Sequence, residues 1–205
     1  ISTRDWSSDV CSSDLAAVLW ASLLHRGPML AGPADDCVSI LLWCLAIGRA
    51  GDHYSFDRRL ANRASSAPEK SVRTAVAQGL LLVHAAAIAV AAAVAQLKGD
   101  AWWDGLAAWY LAVGPRSGAA ALLPLLARSE YATNLLTHGV MAFEILFAIG
   151  LWFLPTRRLA SRIGLVAWPL VGLLAGEPFW GLAMAVFALP GADLVHPRGR
   201  GADSH

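Results

Sequence analysis

Residues 74–97 constrain this chain most, because they form a run of 24 residues without a formal charge. A helix of about 20 apolar residues is long enough to cross the hydrocarbon core of a bilayer. Residues 131–154 form a second stretch of this kind, with Glu144 as its single charged residue. We therefore predict two spanning helices that lie side by side in an all-α, polytopic transmembrane helical bundle.

The composition supports this fold class. Charged residues make up 15% of the 205 residues and hydrophobic residues 57%, whereas a soluble domain carries about 25% charged residues. Intrinsic disorder, a disulfide-stapled miniprotein and a nucleic-acid-binding domain are excluded on this basis. The partner that we expect is the lipid bilayer, with no nucleic acid.

The first fifteen residues differ abruptly from the apolar sequence after them. Residues 5–15 read DWSSDVCSSDL, which resembles the translation of a common sequencing adapter. We expect residues 1–15 to lie outside the fold and residues 16–195 to form a membrane domain truncated at its N-terminus. Residues 196–205 are predicted to be a disordered tail. A genuine serine-rich N-terminal segment is the alternative interpretation.

Two shorter helices and a basic loop are predicted before residue 74. Residues 16–25 are typical of the end of a helix, and residues 37–47 of a short helix. Residues 49–73 are polar and basic. Cys37 and Cys44 are seven residues apart, about 10 Å along one helical face, which is too far for a disulfide. We expect both to serve as small apolar residues, and no metal site is predicted.

The remaining segments are more broken. Residues 98–130 are rich in tryptophan, which favours the headgroup level, and predict short interfacial or re-entrant helices. Residues 155–162 predict a basic turn. Residues 163–189 predict a helical hairpin with short arms that is broken at Gly176.

Eight of the eleven residues 85–95 are alanine. Small residues allow helices to approach closely in lipid, so this composition predicts that the 74–97 helix lies inside the bundle.

Lysine and arginine are unevenly distributed between the loops. The 49–73 loop carries six and the 155–162 turn carries three, whereas the longer 98–130 segment also carries only three. Because cytoplasmic loops carry an excess of these residues, we expect the basic loops to be cytoplasmic and the tryptophan-rich segment to lie outside.

Glu144 is the most informative polar residue, since an ionisable group at mid-membrane faces a bundle interior or a watery cavity. Two interpretations stay open: a proton-handling carboxyl or substrate ligand, and an interhelical hydrogen-bond partner. At 100° per residue it shares a helical stripe with four others: Thr137, Met141, Ala148 and Leu151.

Other polar residues are weaker candidates. His138 lies six residues before Glu144, about 120° around the helix, and His84 stands in an otherwise apolar helix. Two interpretations stay open for each histidine: a catalytic or ligand role, and a structural role. The Trp102-Trp103 pair is either an interfacial anchor or part of the mouth of a site. The chain has no glycine-rich phosphate loop, nucleophile elbow or CxxC motif.

Several segments, in this order, resemble the HTTM family, named for horizontally transferred transmembrane proteins, whose membrane domain is shared by vitamin K-dependent gamma-carboxylase. The resemblance covers about residues 30–195 and lacks the first helices of the family. The matching stretches are 55–60, 98–108 with its W-x-x-G at 102–105, 137–139 leading to Glu144, 155–158 and 178–179.

The resemblance implies a multi-pass protein of the bacterial inner membrane. It also implies a reduced quinone as cofactor and a peptide or protein as substrate. Together with the polar residues described above, it makes Lys98, Glu144 and His138 the candidate catalytic residues. The carboxylase branch deprotonates reduced vitamin K with a lysine just before the W-x-x-G. Six residues before Trp102 this chain has Gln96, and an amide is not a general base. Trp168 stands where members often carry histidine.

Three functions remain open at this point. The first is a membrane enzyme related to the quinone-coupled carboxylase. The second is a non-enzymatic partner or maturation factor like the export relatives of the family, and the third is a small transporter. An enzyme should place Glu144 in a cavity that opens to lipid or to the outer face, near Lys98 or His138. A structural role should give Glu144 a hydrogen bond to a neighbouring helix, with no pocket beside it.

Overall fold

The computed structural model describes residues 12–27, 31–48 and 72–192, and all regular structure in these ranges is helical. The predicted all-α class is therefore confirmed. The chain divides into two compact units, residues 1–83 and 84–205, and each is described by itself.

Some predictions concern residues outside the described ranges. These are most of the 1–15 segment, nearly all of the basic 49–73 loop with the 55–60 motif, and the 196–205 tail.

The first unit contains two helices of 15 residues each, α1 (Ser12–Arg26) and α2 (Pro33–Ile47). Trp20 joins them, because its Nε1 donates to Ser39 Oγ at 3.1 Å. Helix α2 begins four residues before the predicted 37–47 helix, since Pro33 occupies the first turn, where a missing N–H costs nothing.

Helix α3 (Val72–Gln96) begins in the first unit and ends in the second, and it confirms the predicted span over residues 74–97. Its second half has one buried alanine face. The prediction that the whole helix lies inside the bundle is wrong, because Val83 and Val90 are nearly half exposed. Apolar side chains that face lipid gain little from being buried against protein, because lipid tails are as apolar as the side chains themselves. The buried face consists of Ala85, Ala86, Ala89 and Ala93.

Residues 98–130 fold into short helices, as predicted. They are α4 (Asp100–Trp103), α5 (Ala107–Val113), a 3₁₀ turn (Ala120–Leu122) and α6 (Leu123–Arg128). Trp102 and Trp109 pack against a core that these helices share with later ones. The buried members of that core are Ala112, Ala119, Leu126, Val140 and Leu174.

Helix α7 (Glu130–Trp152) confirms the second predicted span, and α8 (Leu154–Ala175) follows after the single residue Phe153. The predicted basic turn at 155–162 is therefore wrong, because those residues form the first turns of α8. The turn is tight because Thr156 and Arg157 satisfy the last carbonyls of α7. Thr156 Oγ1 donates to the Gly150 oxygen at 3.0 Å, and Arg157 Nε donates to the Leu151 oxygen at 2.9 Å.

The predicted hairpin at Gly176 is confirmed. Gly176 ends α8 in the left-handed conformation (φ +77°), and Pro178 begins α9 (Pro178–Ala188). The expected short first arm is wrong, since α8 has 22 residues. Together with α3 and α7, it is long and apolar enough to cross a membrane.

Glycines and aromatic rings hold α7, α8 and α9 together. Trp168 of α8 has no exposed surface, and its ring centroid lies 5.2–5.4 Å from the rings of Phe143, Phe147 and Trp180. The edge of the Phe147 ring occupies the space where Gly164 lacks a side chain. This cluster is the centre of the second unit.

Candidate functional site

Glu144 lies on the buried face of α7 with 1% of its surface exposed. The predicted helical stripe is confirmed at Thr137, Ala148 and Leu151, which are buried, while Met141 is only partly so. A carboxyl in this position is cut off from solvent, so its interactions depend on the neighbouring helices.

Gln96 is the residue that reaches Glu144. Its Nε2 donates to Glu144 Oε1 at 2.9 Å, from the last residue of α3. The hydrogen bond leaves two oxygens unused, Gln96 Oε1 and Glu144 Oε2, and both are buried without a hydrogen-bond partner. When Glu144 is ionised, the contact therefore has a single donor group, the amide nitrogen, and three acceptor oxygens.

Thr137 connects the two short motifs of the sequence, 102–105 and 137–139. Its Oγ1 has no exposed surface, lies 2.9 Å from the Gly105 carbonyl oxygen and accepts from the Ala108 N–H at 3.0 Å. That N–H belongs to the second residue of α5, in the first turn, where backbone N–H groups have no partner within the helix. Position 105 requires glycine for two reasons: its φ is positive (+72°), and a Cβ there would collide with the Asn134 amide.

The three candidate catalytic residues are not brought together. Lys98 is exposed in the turn after α3. His138 is partly buried, and its Nδ1 lies 3.0 Å from the Asn134 carbonyl oxygen of its own helix. No hydrogen bond or ion pair among the described residues joins Lys98, His138 and Glu144.

The tryptophans play different parts. Trp102 packs on the core, whereas Trp103 is 62% exposed and donates through Nε1 to the Leu97 carbonyl oxygen at 2.8 Å. Trp168 is buried among aromatic rings, and its Nε1 has no partner. Of the Trp102-Trp103 pair, Trp103 is therefore the one exposed enough to act as an interfacial anchor.

The loop after α5 covers the end of α8 at the hairpin. The Gly118 N–H donates to the Leu173 carbonyl oxygen at 3.0 Å, and Ser117 Oγ donates to the Leu174 carbonyl oxygen at 3.4 Å. The tryptophan-rich segment and the Gly176 hairpin therefore lie at the same end of the second unit.

Cys37 and Cys44 are buried and free, as expected of small apolar residues. Burial, with a smaller contribution from Asp36, raises the pKa of the Cys37 thiol to about 11. A thiol with so high a pKa is a poor nucleophile and a poor metal ligand at neutral pH. Residues 12–27, 31–48 and 72–192 contain no group of three His, Cys, Asp or Glu side chains arranged to hold a metal.

Sequence reasoning identified Gln96 only as the occupant of a lysine position and missed its contact with Glu144. A signal was available, because a polar side chain at the end of a long uncharged helix needs a partner on another helix. Which partner it finds depends on the tertiary arrangement.

No family model, curated protein or solved structure matches the chain. The fold itself defines the class. The described residues form an all-α helical bundle that includes three helices long and apolar enough to cross a bilayer and a buried acid–amide contact.

Proposed function

We propose that this chain is a multi-pass protein of the HTTM type in the bacterial inner membrane, where it acts as a non-enzymatic partner or maturation factor for a peptide or protein. The hydrogen bond between Gln96 and Glu144 carries this proposal. Polar side chains that bond across membrane helices stabilise their association. A carboxyl held by an amide in this way is suited to a structural role.

The identity of residue 96 also favours a non-enzymatic role. By its spacing from Trp102, it stands where the resemblance places the catalytic lysine. An amide does not remove a proton from a reduced quinone. Lys98, two residues further on, is exposed, and no hydrogen bond or ion pair among the described residues joins it to Glu144.

A quinone-coupled, carboxylase-like enzyme is the second candidate. It is favoured by Glu144 Oε2, a buried oxygen without a partner, beside the position of the expected base. In this alternative, Lys98 or Glu144 handles protons and reduced quinone is the co-substrate.

Quinol epoxidation by the full-length protein in lipid nanodiscs separates the two candidates. We expect no turnover above the protein-free background. Turnover would contradict the non-enzymatic proposal, and a comparison with Lys98→Ala would then show whether Lys98 is the base.

A gain-of-function variant sharpens this experiment. Gln96→Lys restores a lysine beside Glu144, whereas Gln78→Lys places one on the same helix at an exposed position and serves as the matched control. Turnover in Gln96→Lys alone would support descent from a carboxylase-like site. No turnover in either variant leaves the non-enzymatic function as the better account.

The expected orientation has structural support. The hairpin at Gly176 shares one end of the second unit with the 114–119 loop, while Arg157 and Arg158 lie near the opposite end of α8. The positive-inside rule then assigns the arginine end to the cytoplasm. A reporter active only in the cytoplasm should work when fused after His205 and fail when inserted after Pro115; the reverse result would invert the orientation.

A further inference from the structure

The contact between Gln96 and Glu144 contains an unmatched pair of oxygens. The amide uses Nε2 to bond Glu144 Oε1 at 2.9 Å. Gln96 Oε1 and Glu144 Oε2 remain, one on each group, buried and without partners. Both accept hydrogen bonds when Glu144 is ionised, so neither can satisfy the other.

An ionised Glu144 would be poorly stabilised in these surroundings. A buried charge is costly unless it is paired and fully hydrogen-bonded, and within a membrane helix the cost is greater than in a soluble protein. Here the carboxyl receives one hydrogen bond from a neutral amide. No ion pair among the described residues involves it.

Charged and titratable groups near this pair are few. On α7, His138 is six residues from Glu144 and bonded to its own helix. On α3, Lys98 is exposed and His84 lies twelve residues before Gln96, about 18 Å along the helix. The helices packed against α7 carry Tyr110 on α5, Arg128 on α6, and Arg157, Arg158 and Arg162 in the first turns of α8.

We propose that Glu144 and Gln96 form a proton-binding site, in which Glu144 is a neutral carboxylic acid that donates through Oε2 to Gln96 Oε1. The added proton supplies the donor that the two oxygens lack. Acid and amide then share two hydrogen bonds in opposite directions, and no buried charge remains. The inference is independent of the proposed function, since the site holds its proton whether or not the chain is an enzyme.

Infrared spectroscopy of the full-length protein in lipid at neutral pH tests the site directly. A carboxylic acid has a carbonyl band that a carboxylate lacks. We expect this band in the wild type, its loss in Glu144→Gln, and its retention in Glu130→Gln, which removes an exposed acid from the same helix. Absence of the band from the wild type, or its survival in Glu144→Gln, would overturn the proposal.

An exchanged pair provides a second test that does not depend on loss of a group. The double variant Gln96→Glu with Glu144→Gln moves the acid to α3 and keeps both hydrogen bonds possible. We expect the protonated-acid band and the membrane-inserted yield to match the wild type. A twofold or greater fall in yield, or an exchanged acid that gives only carboxylate bands, would overturn the proposal.

Gln96→Leu removes the amide and with it both hydrogen bonds to the acid. The acid should keep its proton, and its carbonyl band should shift to higher frequency because the carbonyl no longer accepts from the amide. An unshifted band would contradict the paired geometry. If this variant does not insert, the exchanged pair decides the matter, since it retains all the polar groups.

Discussion

Helices α3 and α7 are both long enough to cross a bilayer, yet they are buried to different degrees. Of their most apolar stretches, 22% is buried in α3 and 44% in α7. The more apolar of the two helices is thus the less buried. In lipid, an apolar surface gains little from leaving the hydrocarbon for the protein interior. Hydropathy therefore indicates which helices enter the membrane and not which ones form the core.

The two regions also pack in different ways. Helix α3 uses an alanine face, while α7, α8 and α9 combine glycines with large aromatic rings. Gly181 shows how close these helices are, since a Cβ there would lie 2.5 Å from the Trp168 carbonyl oxygen and 3.0 Å from the Gly172 Cα. The second arrangement depends on the fit of individual side chains and should be far more sensitive to substitution.

Trp168→Ala should have the largest effect. It removes a fully buried ring that contacts three others, and large-to-small changes of this kind cost about 3–5 kcal/mol. Thermal unfolding in detergent micelles would measure the loss. Trp152→Ala, at a ring that is 63% exposed on α7, is the control, and an equal loss there would remove the distinction between core and lipid-facing tryptophans.

Gly181→Leu should rank next, because the added side chain forces α8 and α9 apart. Overpacking costs about 1–3 kcal/mol. Gly139→Leu is the matched control, since a Cβ at Gly139 meets no atom within 4 Å. Equal stability of the two variants in the same unfolding assay would show that close approach at Gly181 is unimportant.

Thr137→Val should have a smaller effect. It keeps the side-chain shape but leaves the Ala108 N–H without its partner. A buried unsatisfied donor costs about 1–3 kcal/mol, and we expect the lower part of this range because hydrogen bonds between membrane helices average about 0.6 kcal/mol. Thr137→Ser should restore most of the stability, and failure of that rescue would assign the effect to packing.

Val90→Leu should have the smallest effect. Val90 is 48% exposed on α3, beside the buried alanine face, and surface substitutions usually change stability by less than about 0.5 kcal/mol. Ala89→Leu is the buried comparison, and it should lower the unfolding temperature. Equal tolerance at both positions would mean that the alanine face of α3 is not tightly packed.

The placement of polar residues was less predictable than the helices. The stripe through Thr137 and Glu144 follows from helical periodicity alone, so it was found in advance. The partner of Glu144 did not follow, because Gln96 is 48 residues away in the sequence and periodicity carries no information on contacts between helices. The start of α8 at Leu154 was not predicted either, because a proline followed by several arginines is typical of a loop. Only the structure shows that Arg157 donates to the Leu151 carbonyl oxygen from the first turn of a helix.

The sequence by itself determined that the chain is helical, that residues 74–97 and 131–154 suit a bilayer, and that the helical path turns back at Gly176. These features depend on local composition, periodicity and the conformations that glycine and proline allow. Only the tertiary structure decided which face of α3 is buried, that Trp168 is the centre of the aromatic core, and that Gln96 meets Glu144. Each of these depends on how distant segments fit together. In lipid, no hydrophobic driving force brings the helices together, so the apolar pattern of a single sequence does not show which faces meet.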